Sequence, residues 1–582
     1  MDKVLEYVKR YRKDVIWGIC MKFGGTLLEL GIPWVLSYII DRVIPMKKIS
    51  LVFIWGLVMI LFSVGAALGN ICANRVASKS SMQITRDLRH DLFNKILHLS
   101  KHQVDTITLP SLVSRMTTDT YNIHHAVGML QRMGVRTPVI VLGSFFVMFS
   151  LDKIMTLVLL LIIPINILFV YYITSHGIPL FQKQQKNVDN MVRTVREDYT
   201  GIRVIKALSK EKYEKKHFEV INEQLVKSEK KASVYMAITN PLMNLMFNVG
   251  MAVVILIGAF RLNRGGTTIG CIMAFTSYFM TLLAAMMGIT RIFVMTSKAL
   301  ASSSRVKEIL ELPEELVIAS KEQYPVDKSF FQDSYAIKFN HVTFRYHGEH
   351  TPSLSDISFQ LKKGESLGII GATGSGKSTL VNLLLRFYDA SEGEIYINGE
   401  NIKTISGQKM REKMGVVFQS DFVCSGTLRE NIAFGRKCEE ENLKLAILTA
   451  QANELVELDV DGLEKRIYAR GNNLSGGQKQ RLLLSRALAA VPEILILDDS
   501  SSALDYKTDA RFRKCLQKNY PMITQIMIAQ RISSIMDMDH ILVLEGGRIE
   551  SFGTHEELMQ KCKVYRELYE LQTGGDIDVK GA

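Results

Sequence analysis

Apolar residues are concentrated in the first half of the chain, where they form six stretches long enough to cross a bilayer. A spanning helix needs about 20 mostly apolar residues. Several stretches contain proline, which membrane helices tolerate better than soluble ones. The pattern predicts an all-α transmembrane domain of six helices over residues 15–303. The predicted spans are Val15–Ile40, Leu51–Ala73, Val127–Ser150, Ile154–Ser175, Tyr235–Phe260 and Cys271–Thr296.

Short links join these spans in pairs, whereas residues 74–126 and 176–234 separate one pair from the next. Both long segments are helical in pattern and rich in Lys and Arg, as in RDLRHDLFNKILHL from Arg86. Positively charged loops stay in the cytoplasm. We therefore expect a multi-pass protein of the plasma membrane with two long cytoplasmic extensions, and with its N-terminus and C-terminal half in the cytoplasm. Basic residues on the short outer links, such as Arg42 and Lys47, weaken this signal slightly.

Residues 1–14 are charged and lack the apolar core of a signal peptide. Val4, Val8 and Tyr11 recur at helical spacing beside Lys9 and Arg10. This pattern predicts an amphipathic helix on the cytoplasmic membrane surface. An ordinary surface helix is the alternative.

Two ionisable residues interrupt the first span. Lys22 and Glu29 are seven positions apart, two helical turns, and therefore share a face of a helix. Charges inside a membrane are costly and usually face a cavity or a partner. Glu29 could line a substrate cavity, or the two residues could serve a structural pairing or lie near the interface. The sequence leaves these interpretations open.

The second half of the chain has a different pattern. Residues 304–334 are polar and contain Pro313 and Pro325, which indicates a linker. From Tyr335 onward short β-rich runs alternate with helical segments, a pattern typical of an α/β domain with a largely parallel sheet. We place this domain at residues 335–571 and a tail at 572–582.

The formal net charge is +13, with 47% hydrophobic and 22% charged residues. Nucleic-acid binding, cytoplasmic membrane loops and a solvated surface could each account for the excess. No compact run of Lys and Arg with interleaved aromatic residues occurs, so the lipid bilayer is the predicted partner and nucleic acid is not. The seven cysteines form no CxxC pair, which argues against a disulfide framework and a zinc site.

The strongest motif of the polar half is Gly371-Ala-Thr-Gly-Ser-Gly-Lys-Ser-Thr379, which fits GxxxxGK[ST]. An apolar strand, Ser366–Ile370, precedes it, and a helical run, Ser378–Phe387, follows it. Such a loop surrounds phosphate oxygens with backbone N–H groups, and the helix N-terminus favours negative charge. The predicted cofactors are ATP and Mg²⁺. The predicted nucleotide ligands in the loop are Gly371, Thr373, Gly374, Ser375, Gly376, Lys377, Ser378 and Thr379, with Ser378 also on the metal.

A second apolar strand, Ile494–Leu497, ends in Asp498 and Asp499. Asp498 is predicted to hold Mg²⁺ through water and so to help neutralise the phosphates. Four apolar residues followed by Asp are a weak signal alone. Together with the phosphate loop they become a strong one.

With Leu474-Ser475-Gly476-Gly477-Gln478 between these two motifs, the chain resembles the ATP-binding-cassette (ABC) transporter family. Tyr346 matches the aromatic residue that stacks on adenine, and Gln419 matches the glutamine that senses Mg²⁺. Ser502-Ala-Leu-Asp505 matches a loop that crosses the dimer interface. The segments Leu112–Arg115 and Gly201–Lys206 resemble sequence near the family's coupling helices.

The resemblance covers nearly the whole chain and implies an exporter half-transporter that works as a dimer. Each ATP then lies between the phosphate loop of one subunit and the LSGGQ signature of the other. In this chain the implied signature contacts are Ser475, Gly476, Gly477 and Gln478, with Asp505 nearby.

Three positions depart from the family pattern. Asp499 stands where the presumed catalytic Glu is usual, Gln530 replaces the switch His, and Ala469 replaces a Glu in the loop before the signature. Independent sequence drift at each position is the simpler explanation for Asp499 and Gln530. The sharper hypothesis is a heterodimer in which Asp499 and Gln530 belong to a slow, degenerate site. The intact signature would then complete the hydrolytic site of a partner half-transporter.

The leading function is ATP-driven export of a drug-like or lipophilic small molecule. A lipid or peptide translocator and a homodimeric exporter remain alternatives. No peptidase-sized domain precedes the first span, which disfavours a leader-cleaving peptide exporter. Six spans on the chain that carries the cassette also disfavour a non-transporting ATPase and an importer.

Overall fold

The computed structural model describes residues 2–313, 315–316, 318–320, 335–419, 422–457, 460–500 and 503–573. The chain divides into two compact units. The first comprises Met1–Leu97 and Pro110–Leu312, and the second comprises His98–Leu109 and Pro313–Ala582. Most of the predicted linker, with Pro325, and most of the predicted tail lie outside the described residues. The predicted domain boundaries stay predictions.

The first unit is helical throughout. It contains a π-helical turn at Ile39–Val43, a 3₁₀ turn at Ile44–Met46 and a second π-helical turn at Arg115–Asp119. Its helices, together with α4 of the second unit, are α1 (Asp2–Arg10), α2 (Arg12–Tyr38), α3 (Ile49–Leu97), α4 (Lys101–Ile107), α5 (Leu109–Ser114), α6 (Thr120–Leu151), α7 (Lys153–Thr200), α8 (Ile202–Ala207), α9 (Glu211–Asn263) and α10 (Ile269–Leu310).

Three helical segments of the described chain are long and apolar enough to cross a membrane: Arg12–Met46, Ile49–Leu97 and Leu109–Leu151. They contain the first three predicted spans. The other three predicted spans lie on the helical backbones of α7, α9 and α10, where a number of side chains fall outside the described residues. The predicted helical transmembrane region is confirmed.

Helices α2 and α3 approach each other at two glycines. A Cβ on Gly25 would lie 3.1 Å from the backbone nitrogen of Asn70, and one on Gly69 would lie 3.0 Å from Cα of Gly25. Small residues allow this close approach, which replaces lipid contacts with van der Waals packing between the helices. The two helices are therefore packed backbone to backbone at this level.

Helix α1 packs on the far end of α3. Val4 and Tyr7 are buried, and the Tyr7 hydroxyl donates to the carboxylate of Asp91 at 2.8 Å. The hydroxyl of Tyr11 donates to Asp87 at 2.7 Å. Part of the apolar face of α1 is thus covered by protein, and the membrane-surface position of this helix stays a prediction.

The second unit is an α/β domain. The strands are β1 (Tyr335–Phe344), β2 (Leu354–Lys362), β3 (Ser366–Gly371), β4 (Glu392–Ile397), β5 (Glu400–Asn401), β6 (Met414–Val417), β7 (Gly426–Thr427), β8 (Arg466–Ile467), β9 (Ile494–Asp498), β10 (Thr524–Ile528), β11 (His540–Glu545) and β12 (Arg548–Gly553). The helices are α11 (Lys377–Leu384), α12 (Gly407–Glu412), α13 (Leu428–Ala433), α14 (Glu440–Thr449), α15 (Glu454–Glu457), α16 (Gly476–Leu488), α17 (Tyr506–Asn519), α18 (His555–Lys561) and α19 (Lys563–Thr573).

A six-stranded sheet in the order β12-β11-β3-β10-β9-β6 forms the centre of this unit. All of its neighbouring strands are parallel except β11 and β12. The predicted parallel sheet is confirmed. A four-stranded antiparallel sheet in the order β2-β1-β4-β5 packs beside it, and this second layer was not predicted. Because β9 is buried at every position, its apolar run can lie only inside the sheet.

Helix α4 belongs to this unit even though it lies between α3 and α5 in the chain. The hydroxyl of Tyr388 donates to the Asp105 carboxylate at 2.7 Å, and the side-chain amide of Gln103 donates to the carbonyl of Pro313 at 2.8 Å. Burial, followed by the neighbouring Asp105, raises the pKa of Tyr388. The phenol therefore stays protonated and remains the donor at neutral pH.

Candidate functional site

The loops that follow three neighbouring parallel strands of the α/β domain form a cleft. Strand β10 pairs with both β3 and β9, so the carboxyl ends of all three meet at one edge of the sheet. Such an edge is the usual ligand-binding position in parallel sheets. The cleft has a volume of about 740 Å³. The predicted site residues that line it are Gly371, Thr373, Gly374, Gly376, Lys377, Ser378, Thr379, Gln419, Asp498, Asp499 and Gln530.

The phosphate loop between β3 and α11 owes its shape to two glycines. Gly374 and Gly376 have φ values of 84° and 99°, in the left-handed region that other residues adopt only with strain. A Cβ on Gly376 would lie 2.6 Å from the Leu354 side chain, so only glycine fits there. The N-terminus of α11 follows directly, which makes the loop a ready anion site.

Lys377 forms hydrogen bonds within the phosphate loop. Its ammonium group donates to the carbonyl oxygens of Gly371 at 2.9 Å and Ala372 at 2.7 Å. Burial lowers the pKa of Lys377, opposed by the carboxylates of Asp498 and Asp499. Negative charge brought into the cleft would favour the protonated form. Ser375 is buried behind the loop and does not line the cleft.

Ser378 and Asp498 meet at the floor of the cleft. The Ser378 hydroxyl donates to Asp498 Oδ2 at 3.4 Å, and burial raises the pKa of Asp498. Within the described residues no group of three or more His, Cys, Asp and Glu side chains could hold a metal alone. Mg²⁺ in nucleotide sites is held by one or two protein oxygens, phosphates and water, and these residues fit that arrangement.

Two of the three positions that depart from the family pattern, Asp499 and Gln530, are in direct contact. The side-chain amide of Gln530 donates to Asp499 Oδ2 at 2.8 Å, and the amide of Gln419 donates to the same oxygen at 3.4 Å. Asp499 has a φ of 51°, and its backbone N–H donates to the Ile528 carbonyl at 3.0 Å. The contact follows from the adjacent, parallel positions of β9 and β10.

Tyr346 lies beside the cleft, packed edge-on against Phe344 and Tyr388 with ring-centroid distances of 4.8 Å and 5.3 Å. Its hydroxyl lies 3.3 Å from the Thr379 hydroxyl. Tyr346 does not line the cleft itself, and its adenine-stacking role stays a prediction.

The signature residues lie apart from this cleft. Ser475 caps α16 by accepting from the backbone N–H of Gln478, and the Ser475 backbone N–H donates in turn to the side-chain oxygen of Gln478. Ser475 and Gly476 are exposed, and a Cβ on Gly476 would meet no heavy atom within 4 Å. Asp505 caps α17 through the Thr508 N–H at 2.9 Å, whereas Ser502 is outside the described residues.

Sequence reasoning missed several residues of the cleft. Gly546, Gly547, Ser353 and Leu568 line it as well. Gly547 has a φ of 78° and approaches the Ser353 carbonyl closely. The Gly-Gly pair is a turn signal, but nothing in the sequence places that turn beside the phosphate loop.

We expect Lys377→Met to weaken ATP binding at this site by at least about tenfold, because a charged donor to a phosphate contributes about 1.5–3 kcal/mol. Equilibrium titration with a fluorescent ATP analogue measures the effect. The melting temperature should change little, since the hydrogen bonds that Lys377 makes with described residues all go to its own loop. Lys363→Met, an exposed lysine in the turn after β2, is the matched control. Unchanged affinity in Lys377→Met would contradict the assignment.

Residues 15–286 match the ABC transporter transmembrane region, and residues 354–502 match the ABC transporter family. The chain is 31% identical to the uncharacterized ABC transporter ATP-binding protein YfiB of Bacillus subtilis, with 99% of each chain covered. It is 32% identical to the uncharacterized ABC transporter ATP-binding protein YwjA of the same organism, again with 99% of each covered. A bacterial Atm1-family ABC exporter, solved with ATP bound, matches over 98% of this chain and 99% of that one, with a TM-score of 0.79 and 22% identity, which indicates a shared fold.

Proposed function

The chain belongs to the ABC transporter family as an exporter that couples ATP hydrolysis to transport, and from this premise we propose that it works as the degenerate-site subunit of a heterodimer. In this proposal its own phosphate loop holds ATP and hydrolyses it slowly. Its signature Ser475–Gln478 completes the fast site of a second half-transporter.

The hydrogen bond from Gln530 to Asp499 supports this proposal most directly. A general base needs a carboxylate oxygen free to accept a proton from the attacking water. Oδ2 of Asp499 already accepts from two amides. The side chain is also one methylene shorter than Glu, which withdraws the carboxylate by about 1.5 Å, one C–C bond length. A displacement of this order lowers a rate by about 100-fold.

The remaining residues of the cleft support tight binding. The phosphate loop would surround the β- and γ-phosphates, with Lys377 supplying a positive charge from within the loop. Ser378 and Asp498 would hold Mg²⁺, with Gln419 close by. When bound, Mg²⁺ neutralises phosphate charge. Binding is therefore supported at every position, whereas the two positions that would activate water bond to each other.

The exposed N-terminus of α16 supports the second half of the proposal. Ser475 and Gly476 are exposed, do not line the chain's own cleft and leave the helix N-terminus unobstructed, which favours phosphate. A phosphate that reaches this terminus would belong to ATP held by another subunit. Neither Ser475 nor Gly476 departs from the family signature.

The proposed setting is the plasma membrane, with the N-terminus and the ATP-binding domain in the cytoplasm. The proposed cargo is a drug-like or lipophilic small molecule, which matches the apolar spans of the helical domain. The relatives named above are uncharacterized and do not narrow the cargo.

We expect the pair formed with a half-transporter encoded beside this chain to hydrolyse ATP at least about tenfold faster than the chain alone, since only the partner's site would have an intact base. Phosphate release in lipid nanodiscs, normalised to bound nucleotide, measures both. A partner variant lacking its catalytic Glu should bring the pair down to the rate of the lone chain. Equal turnover by the lone chain and the pair would contradict the heterodimer.

A further inference from the structure

Four ionisable side chains lie together in the membrane-spanning part of the first unit. We name Lys22, Glu29, Arg132 and Arg136 the cationic cluster. The guanidinium of Arg136 donates to Glu29 Oε1 at 2.6 Å and to Oε2 at 3.4 Å. The charged groups that act on Lys22 are Arg136, Glu29 and Arg132. Glu29 therefore pairs with a residue of α6 rather than with Lys22, its neighbour on the same helix face.

The cluster lies well inside the spans. Lys22 is about 15 Å along α2 from Arg12, at 1.5 Å per residue, and Glu29 lies about 10 Å further on. Arg132 and Arg136 are four residues apart on α6, so they share a face of that helix. At this depth charged side chains are costly and mark a cavity or a ligand path.

The charges within the cluster do not balance. Three cations surround one carboxylate, and Glu29 is already engaged by Arg136. Lys22 is 5% exposed, and among the described residues its ammonium group bonds only to the neutral amide oxygen of Asn74 at 3.3 Å. Arg132 has no hydrogen bond or ion pair with any residue that the structure describes. Two positive charges are thus left without a counter-charge, one of them on a buried side chain.

The cluster is also accessible. Arg136 keeps 43% and Glu29 keeps 30% of its side-chain surface exposed. An incoming anion can therefore reach the Arg136 guanidinium without opening the helix packing of this chain. The buried Lys22 contributes further positive charge. Arginine presents a planar fork that matches carboxylate and phosphate oxygens.

We propose that the cationic cluster binds the anionic end, a carboxylate or a phosphate, of an amphiphilic transport substrate. Arg132 and Arg136 contact the anion, and Lys22 supplies a second layer of positive charge. The rest of the substrate is apolar, because the spans around the cluster are apolar. The inference rests on the proposed export function and narrows its cargo from lipophilic compounds to acidic ones.

Direct binding tests the inference without nucleotide. The three tryptophans of the chain, Trp17, Trp34 and Trp55, lie in or near α2 and α3, so a brominated probe bound at the cluster quenches their fluorescence. The probes are bromododecanoate and bromododecyl phosphate against bromododecyl maltoside and bromododecyltrimethylammonium. The full chain is held in nanodiscs of phosphatidylcholine. We expect both anionic probes to bind at least about tenfold more tightly than the neutral and cationic ones.

Charge variants separate ligand binding from helix packing by the sign of the effect. Arg132→Gln should weaken anion binding about tenfold, whereas Glu29→Gln should strengthen it severalfold, because it removes the competing carboxylate. Lys48→Gln, an exposed lysine on the link before α3, is the control and should change nothing. If the cluster served only packing, both cluster variants would weaken binding of every probe equally, and the inference would be overturned.

Failure of this inference can be told apart from failure of the proposed function. The absence of any preference for anionic probes, in a pair that still hydrolyses ATP faster than the lone chain, would overturn the acidic cargo and leave the heterodimer standing. Comparison of the carboxylate and phosphate probes identifies the source of the charge. Tighter binding of the phosphate probe would indicate a phosphorylated lipid, and tighter binding of the carboxylate probe would indicate a carboxylic acid.

Discussion

Gly476→Asp in this chain is expected to lower the ATP turnover of the assembled pair by at least about 100-fold, through the signature's contact with the partner's ATP. Gly476 is the first residue of α16 and points into open space, so the new side chain has room. An Asp in the first turn of a helix is even favourable for the helix itself. Its carboxylate would, however, occupy the place where the proposed phosphate approaches. Phosphate release by the purified pair in nanodiscs measures the loss.

The contrast with this chain's own site makes that experiment specific. Asp499→Asn in the same pair should change turnover by less than about twofold, since the degenerate site would contribute little of it. Melting temperatures should match the wild-type pair in both variants. Turnover that survives Gly476→Asp but collapses in Asp499→Asn would reverse the roles of the two sites.

Asp499→Glu combined with Gln530→His is expected to raise hydrolysis at this chain's own site by about 10- to 100-fold. The longer side chain restores the reach lost with one methylene, and a displacement of that size is worth about 100-fold in rate. The second substitution removes the amide that donates to Asp499 Oδ2. The measurement is phosphate release by a pair whose partner lacks its catalytic Glu, so that only this site can turn over.

Each single variant is informative beside the double variant. Asp499→Glu alone keeps the Gln530 amide as a donor, so it should recover less than the double change. Because the two side chains are in contact, their effects should not add. No gain in the double variant, with unchanged ATP binding, would show that slow turnover at this site has another cause.

The sequence carries enough information to predict the ATP-binding site in outline. Patterns that are local in the chain decide most of it: the glycines of the phosphate loop, the apolar strand before Asp498 and the LSGGQ signature. Each requires only a few neighbouring residues, and the structure brings Lys377, Ser378 and Asp498 to one cleft. Their order along the chain is sufficient because parallel strands bring their carboxyl ends to one edge.

Contacts between segments that are distant in the chain could not be predicted from the sequence. Helical periodicity placed Lys22 and Glu29 on one face, but it gave no information about the helix opposite, and the ionic partner of Glu29 is Arg136, 107 positions away. The bond between Gln530 and Asp499 depends on the adjacency of β9 and β10. The turn at Gly547 lies beside Ser353, which directly precedes β2, and this contact joins segments that are far apart in the chain.

The glycine contact between α2 and α3 limits which helices can slide past each other. At Gly25 and Gly69 an added methyl group would lie 3.0–3.1 Å from the backbone of the facing helix, closer than ordinary contact, so we expect α2 and α3 to move as a pair at this level. Lys22 and Glu29 would move with this helix pair, whereas Arg132 and Arg136 would move with α6. A displacement of α6 away from this helix pair would therefore stretch the salt bridge between Glu29 and Arg136. Because this salt bridge links α2 to α6, an anion that competes with Glu29 for the Arg136 guanidinium would make the two helices easier to separate.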